Sequence, residues 1–372
     1  MSFKHEVLLE PIAAIAAKNA ASIDRGDYPT ETLRALGEAG LLGLVSSPDV
    51  GGKGEGLASA VHVVERLARE CGSTAMVICM HYCGAVVIEA HGPVETRKAI
   101  AAGKHVTTLA FSEVGSRSHF WAPIGIAIAD GDSVRLTARK SWVTSAHHAD
   151  SYVWSSKPLA GAELSTLWLV PRTTQGLRIS DAAFDGIGLR GNDSTPVTAE
   201  DARLPLSARL GDDGAGFGVM MGVVLPWFNV LSASVSNGLM EAAVQKTAAH
   251  AGGTQFQHAG SSIADLPTVR AFIARMRIAT DQNKALVADT LAAMGSGRAD
   301  ATLRVLESKA AAGESAAMVT DLAMRVCGGA AFRKDVGVER IFRDSRAALV
   351  MGPTTDVLYD FIGKAVCGLP LF

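Results

Sequence analysis

Lys140-Ser141-Trp142-Val143-Thr144-Ser145 lies near the middle of a chain of 372 residues, and its alternation is that of an extended strand. Taken as an ordinary strand, it would bury one aromatic and leave one hydroxyl exposed. Short extended segments surround it. Residues 107–112, 124–129 and 134–137 come before it, and 152–154, 167–170, 177–179 and 197–204 come after, at hairpin-like spacing. Pro171, Gly176, Gly186, Gly188, Gly191, Pro196 and Pro205 punctuate this run. The period predicts a compact β-domain over residues 107–212, of ordinary domain size.

On either side the period changes to that of helices. Leu8, Leu9, Ile12, Ile15 and Ala16 fall close to a 3.6 spacing and predict a helix over 6–23. Further helices are expected over 30–39, 58–69, 73–90 and 95–102, with a glycine-rich loop at 47–56. The 73–90 segment is apolar nearly all round, as a buried helix is. These make an N-terminal helical domain over 1–106. After residue 213 the chain turns helical again. Residues 217–251, 264–294 and 299–325 are long enough for bundle helices. A shorter pair, 336–346 and 354–366, is separated by Met351-Gly352-Pro353. The expected fold class is a multi-domain α+β protein: N-terminal helices, a central β-domain, and a C-terminal four-helix bundle over 213–372.

Composition narrows the partners. Hydrophobic residues are 48% and charged residues 19%, a balance that supports a packed core. The net charge of −2 gives no footprint for nucleic acid or an anionic membrane. Five cysteines, an odd number, argue against a disulfide framework. Cys79 and Cys83 have no second pair nearby, so no metal site is expected. The N-terminus does not read as a signal peptide, and no stretch of about 20 residues reads as a membrane span. A reducing cytoplasm is the expected setting.

A series of motifs, in order along the chain, carries a resemblance. Ala110-Phe111-Ser112-Glu113-Val114-Gly115-Ser116-Arg117-Ser118-His119 is similar to the first β-domain signature of the acyl-CoA dehydrogenases, Thr-Glu-Pro-x-x-Gly-Ser-Asp. Lys140-Ser141-Trp142-Val143-Thr144-Ser145 resembles their second, Lys-x-Trp-Ile-Thr-Asn. The run from Gly186 to Ser194, then Gly214-Ala215-Gly216-Phe217, resembles the family's β-domain exit. Arg325-Val326-Cys327-Gly328-Gly329 resembles its Gln-x-x-Gly-Gly helix end, and the segment from Val338 to Asp344 its Val-Glu-Arg-x-x-Arg-Asp. The last segment reads as structural salt-bridging.

The resemblance implies a flavin oxidoreductase binding FAD, with FMN as the alternative. It implies flavin contacts from Phe111, Ser112, Trp142, Thr144, Arg325, Gly328, Gly329, Thr354 and Asp356, and substrate contacts from Ser118, Met351, Gly352 and Phe228. Donors placed at the flavin would stabilise the charge it gains on reduction. A small-molecule substrate such as an acyl-CoA and a homodimer or homotetramer are implied, with an electron-transfer or flavin-reductase partner.

The chain departs from the family at its base. The usual glutamate position reads Gly352, and the minority position on the first bundle helix reads Phe228, followed by Asn229 in place of an arginine. The arginine expected at the FAD pyrophosphate is Phe256, and Arg325 could compensate for it. A base must lie within hydrogen-bond reach of the substrate proton. His119 and His81 are the candidate replacements, with His147 and His148 behind them, since histidine titrates near neutrality. Glu113 reads as structural or flavin-side. Without the glutamate, three readings stand: thioester oxidation with a displaced or absent base, a two-component flavin monooxygenase, and a non-catalytic flavin- or acyl-CoA-binding protein.

Overall fold

The computed structural model describes residues 3–116 and 119–371. Ser118, expected at the thioester arm, lies outside the described residues. Five helices come first: α1 (Glu6–Ile23), α2 (Thr30–Glu38), α3 (Leu57–Ala68), α4 (Gly72–His91) and α5 (Val94–Ala101). α1 buries Leu9, Ile12, Ala16 and Ile23 on one face, the stripe read from its period. Eight strands follow: β1 (Thr107–Ala110), β2 (Ile126–Asp130), β3 (Ser133–Val143), β4 (Ser151–Ser156), β5 (Thr166–Pro171), β6 (Leu177–Ile179), β7 (Thr195–Pro205) and β8 (Arg209–Leu210).

The strands form two four-stranded sheets, ordered β1-β4-β5-β8 and β2-β3-β7-β6. β1 runs parallel to β4, and the other pairs are antiparallel. Val134, Leu136, Tyr152, Trp154, Trp168, Val170, Val197 and Leu204 meet in a buried core drawn from both sheets. Residues 134–137 and 141–143, read as parts of separate strands, belong to one strand, β3, and Thr144 begins the turn after it. Its pairing with β7 shifts register between Leu136 and Ala138 and again between Lys140 and Val143. Such bulges interrupt the alternation that a sequence reading follows.

The chain then enters α6 (Gly216–Val219), a π-helical turn at Met220–Val224, and α7 (Leu225–Gly253). The expected helix over 217–251 is thus interrupted. Pro226 has no N–H to give the carbonyl four residues back, and the ladder widens just ahead of it. A small hairpin, β9 (Gln255–Phe256) with β10 (Ser261–Ser262), leads to α8 (Pro267–Ser296) and α9 (Ala301–Cys327). α10 (Val338–Ser345), α11 (Ala347–Val350) and α12 (Thr355–Val366) complete the chain, and α9 packs against α8, α10 and α12.

Two helical stretches correct one expectation. Gly72–His91 and Gly216–Gly253 are long and apolar enough to cross a membrane, yet 83% and 67% of their most apolar windows are buried inside the protein. A helix that is core on every side has the same composition as a membrane span.

The backbone divides into two compact units. The first comprises residues 1–60, 76–185 and 190–228, and the second 61–75, 186–189 and 229–372. Within the second unit, the turn at 186–189 is fixed on α10. The Leu189 N–H donates to Asp344 Oδ1 at 2.7 Å, and Arg343 donates to the Ile187 carbonyl at 3.1 Å. A Cβ on Gly188 would lie 2.4 Å from the Arg343 carbonyl oxygen, so only glycine permits this approach. Arg343 also pairs with Glu339 at 2.6 Å. This segment is the structural salt-bridging element its sequence suggested.

Candidate functional site

In the first unit, the second bulge of β3 decides where the signature side chains point. Val134, Leu136, Ala138 and Lys140 alternate inward and are buried. After Lys140 the alternation breaks. Trp142 takes φ +58°, in the left-handed region, and is 68% exposed. For a bulky residue this backbone is an outlier, and such strain gathers at functional sites. The indole meets Phe184 edge to face, with centroids 6.2 Å apart. Thr144 is buried, its hydroxyl 3.2 Å from that of Ser194. The plain-strand reading is therefore reversed: the aromatic is out and the hydroxyl is in.

The first signature runs beside it. The Ser141 N–H donates to the Ser112 carbonyl at 2.9 Å. Ser112 is half-buried, and Phe111 is buried and stacked on Phe120, with centroids 6.4 Å apart. Between these two residues and β3 lies an ion pair that the sequence reading missed. Lys140 Nζ donates to Glu113 Oε1 at 2.7 Å, to the Ser155 carbonyl at 2.7 Å and to Ser155 Oγ at 2.9 Å. Burial drives the ammonium pKa down to about 8, while the Glu113 carboxylate works in the opposite direction. The signal was present in the alternation, which puts Lys140 in a core-facing slot where a cation needs a partner.

The four histidines are placed differently from one another. His81 is fully buried. Its Nε2–H donates to the Leu42 carbonyl at 3.0 Å, and Nδ1 accepts the Thr107 N–H at 3.2 Å. Burial holds its pKa down to about 4. A neutral ring with both nitrogens engaged has no lone pair left for a substrate proton, so the geometry gives His81 a packing role. His119 is exposed and lies edge to face on Trp121, with centroids 5.1 Å apart. His147 Nδ1 is 2.9 Å from Asp193 Oδ1, and its N–H donates to Oδ2 at 2.7 Å. His148 stacks on Tyr28 at 3.8 Å, and desolvation lowers its pKa. The Tyr28 hydroxyl donates to Ser145 Oγ at 2.9 Å, so this group braces the turn after Thr144. Phe228 is buried and closes the first unit.

In the second unit, Met351 and Gly352 are half-buried in the turn between α11 and α12. A buried lysine organises that turn. Lys309 Nζ donates to the carbonyls of Ala348 at 3.3 Å, Met351 at 3.0 Å and Pro353 at 2.7 Å. Thr354 caps α12 by accepting the Val357 N–H at 3.4 Å, and Asp356 is exposed in the first turn. At the end of α9, Gly328 has φ +55°, and a Cβ on Gly328 or Gly329 would meet nothing within 4 Å. Both glycines therefore present open, exposed backbone to which a ligand could come close. Arg325 is exposed and lies over the Phe272 ring at 4.7 Å. Phe256 sits in the β9–β10 hairpin, its ring 6.0 Å from that of His258.

Comparison with known proteins decides the family. The model for the acyl-CoA dehydrogenase N-terminal domain matches residues 5–103, and that for the C-terminal domain matches residues 214–367. The chain belongs to the acyl-CoA dehydrogenase superfamily of flavin-dependent oxidoreductases. Probable acyl-CoA dehydrogenase YngJ of Bacillus subtilis is 26% identical over 354 residues, 92% of this chain and 91% of the relative. The mitochondrial short-chain specific acyl-CoA dehydrogenase of Bos taurus is 26% identical over 95% of this chain and 87% of its own length. The fold matches the structure of a glutaryl-coenzyme A dehydrogenase glutaryl-CoA complex with a TM-score of 0.92 at 22% identity, covering 100% and 97% of the two chains. It matches PigA with FAD and proline at 0.89 and 20% identity, covering 99% and 98%. The expected architecture of helices, β-domain and C-terminal helical region is the one observed.

Proposed function

We propose that this superfamily member binds FAD and oxidises an acyl thioester or a similar small substrate, with no carboxylate at either usual base position. The observation that carries the reading is Trp142. A large aromatic is held in a strained backbone conformation and turned outward, next to a buried threonine hydroxyl. An exposed, strained tryptophan costs stability unless a flat ligand uses it. The exposed backbone at Gly328 and Gly329, with Arg325 as the nearby cation, supports assigning the adenine end of the cofactor to this end of α9.

A bound flavin would supply the hydride acceptor. The chain's own residues would do the rest. Ser112 and Thr144 would orient the ring, and Trp142 would cover it. Thr354 and Asp356 would serve the flavin side, and Met351, Gly352, Phe228 and Ser118 the substrate side. Of the candidate bases, His119 is exposed with its ring against Trp121, whereas both ring nitrogens of His81 are engaged. A homodimer or homotetramer in the cytoplasm, passing electrons to a separate redox protein, completes the proposal. FAD rather than FMN is favoured because the fold neighbours include an FAD complex of PigA.

The test is direct. Purified protein should carry FAD, identified by mass, and titration with acyl-CoAs should bleach its oxidised absorbance. Absence of flavin would overturn the reading. Flavin that no thioester reduces would leave the cofactor and remove the substrate class.

A further inference from the structure

The geometry points to Lys140 and Glu113 as a positioning pair that sets the two signature segments against each other and so aims Trp142, Thr144 and Ser112. This deepens the flavin reading and rests on it. Lys140 is the last inward residue of β3 before the bulge. Its ammonium reaches out of its own sheet to Ser155 on β4, in the other sheet, and lies 5.1 Å from the Trp154 ring centre. Glu113 occupies the next corner. Its Oε1 accepts from Lys140, and its Oε2 accepts the Ile124 N–H at 2.6 Å and the Gly125 N–H at 2.9 Å. The carboxylate thus closes the base of the loop that follows Ser112, and the lysine ties that base to both sheets. Side-chain exposures of 0% and 4% make the pair fully desolvated.

A desolvated pair of this kind is weak evidence for stability. Apolar substitutes of similar volume often serve the fold as well or better, so the role assigned to this pair is the geometry it holds. Here the geometry they fix is local. Glu113 and Lys140 form an isolated antiparallel bridge, and one residue along on each segment the Ser141 N–H meets the Ser112 carbonyl. Two residues beyond Lys140, Trp142 adopts its left-handed backbone. With the anchor gone, the bulge can relax to ordinary pleating, which swings the indole toward the opposite face and withdraws the threonine.

The experiment compares wild type with Lys140→Met/Glu113→Gln and with the milder Ser155→Ala, which removes one acceptor and leaves the charges. Flavin dissociation constants, flavin fluorescence and amide exchange are measured on the full chain. The double variant should melt within about 5 °C of wild type in the flavin-free state. It should bind FAD at least about ten-fold more weakly, and exchange its Ser141 amide at least about ten-fold faster while Val153 and Leu169 keep their protection. Ser155→Ala should move both readouts in the same direction by less. Unchanged Ser141 protection would overturn the positioning role, whatever the flavin does. Faster exchange with wild-type flavin affinity would overturn the link to the cofactor. If wild type binds no flavin, the proposed function falls, and Ser141 exchange alone still judges the pair. Should the double variant fail to fold, Ser155→Ala decides both points by the same two measurements.

Discussion

Acidification should unlock the first unit through His81, and the size of the effect follows from its surroundings. The ring is fully buried, with Nε2–H on the Leu42 carbonyl and Nδ1 on the Thr107 amide. Burial lowers its pKa from 6.5 to about 4. In the unfolded chain the same ring takes a proton near its ordinary value. Between those two values the unfolded state binds a proton and the folded state does not, so stability falls as pH falls through that window. Above it, the group costs nothing. At about 1.36 kcal/mol per unit, the window corresponds to a loss of roughly 3 kcal/mol. His105 and His148, also held low by burial, add to the wild-type loss in the same direction. A variant isolates the part due to His81. His81→Gln retains a donor for the Leu42 carbonyl and cannot titrate. It orphans the Thr107 N–H, so its stability at neutral pH should drop by about 1–3 kcal/mol. Urea unfolding by circular dichroism, run at steps from pH 7.5 to 4, should show the difference between the two stability curves shift by roughly 3 kcal/mol in the variant's favour, closing or inverting the neutral-pH gap. Parallel curves across that range would refute the reasoning, as would a His81 ring signal titrating near 6.5 by NMR.

Three further outcomes can be checked. Trp142→Asn places a residue that tolerates the left-handed region where a tryptophan is strained; the flavin-free protein should gain about 1 kcal/mol in urea unfolding while FAD affinity falls, and a loss of stability would show that the indole is packing and not strained. Gly188→Ala drives a methyl against the Arg343 carbonyl oxygen, with the Arg343 carbonyl carbon 2.5 Å and the Asp344 nitrogen 2.6 Å away. Because these are backbone atoms that cannot swing aside, it should destabilise by about 3 kcal/mol in denaturant unfolding, and a neutral result would contradict the close approach. Gly352→Glu puts a carboxylate into a turn whose flanking carbonyls Lys309 already holds; it should give measurable α,β-desaturation of an acyl-CoA in a dye-reduction assay, and an inert variant would count against placing the family's base there.

The sequence makes the architecture legible because long periods average out local exceptions. The bounds of α1 and of β6 follow directly from the pattern, since nothing interrupts their period. Exceptions of one or two residues are not legible. The bulge at Lys140–Val143 changes which face Trp142 and Thr144 occupy, and no propensity marks it, because a tryptophan at positive φ is disfavoured by every local rule. The π-helical turn before Pro226 is hidden for a related reason: the proline announces that one hydrogen bond is missing, but not how the ladder absorbs the loss. His81 reads as a possible base because its residue type titrates near neutrality, and only its two backbone partners show that its valence is spent.

Motifs locate the candidate site better than they locate what holds that site in place. Ser112, Trp142 and Thr144 stand out by resemblance, whereas Lys140 stands in the same motif without a role assigned to it. Yet simple alternation from Val134 through Leu136 and Ala138 already assigns Lys140 to the interior. A lysine in that register requires an acid or a set of carbonyls within reach, and Glu113 in the neighbouring signature is the acid. The same demand applies at Lys309, where three carbonyls around the Gly352 turn meet it. In each unit, then, a buried lysine lies directly behind the backbone that carries the proposed chemistry. Methionine or leucine at either position would fill a similar volume at no desolvation cost but would hold none of these acceptors. Both segments therefore have their backbone held from behind, even where the side chain at position 352 offers no acid.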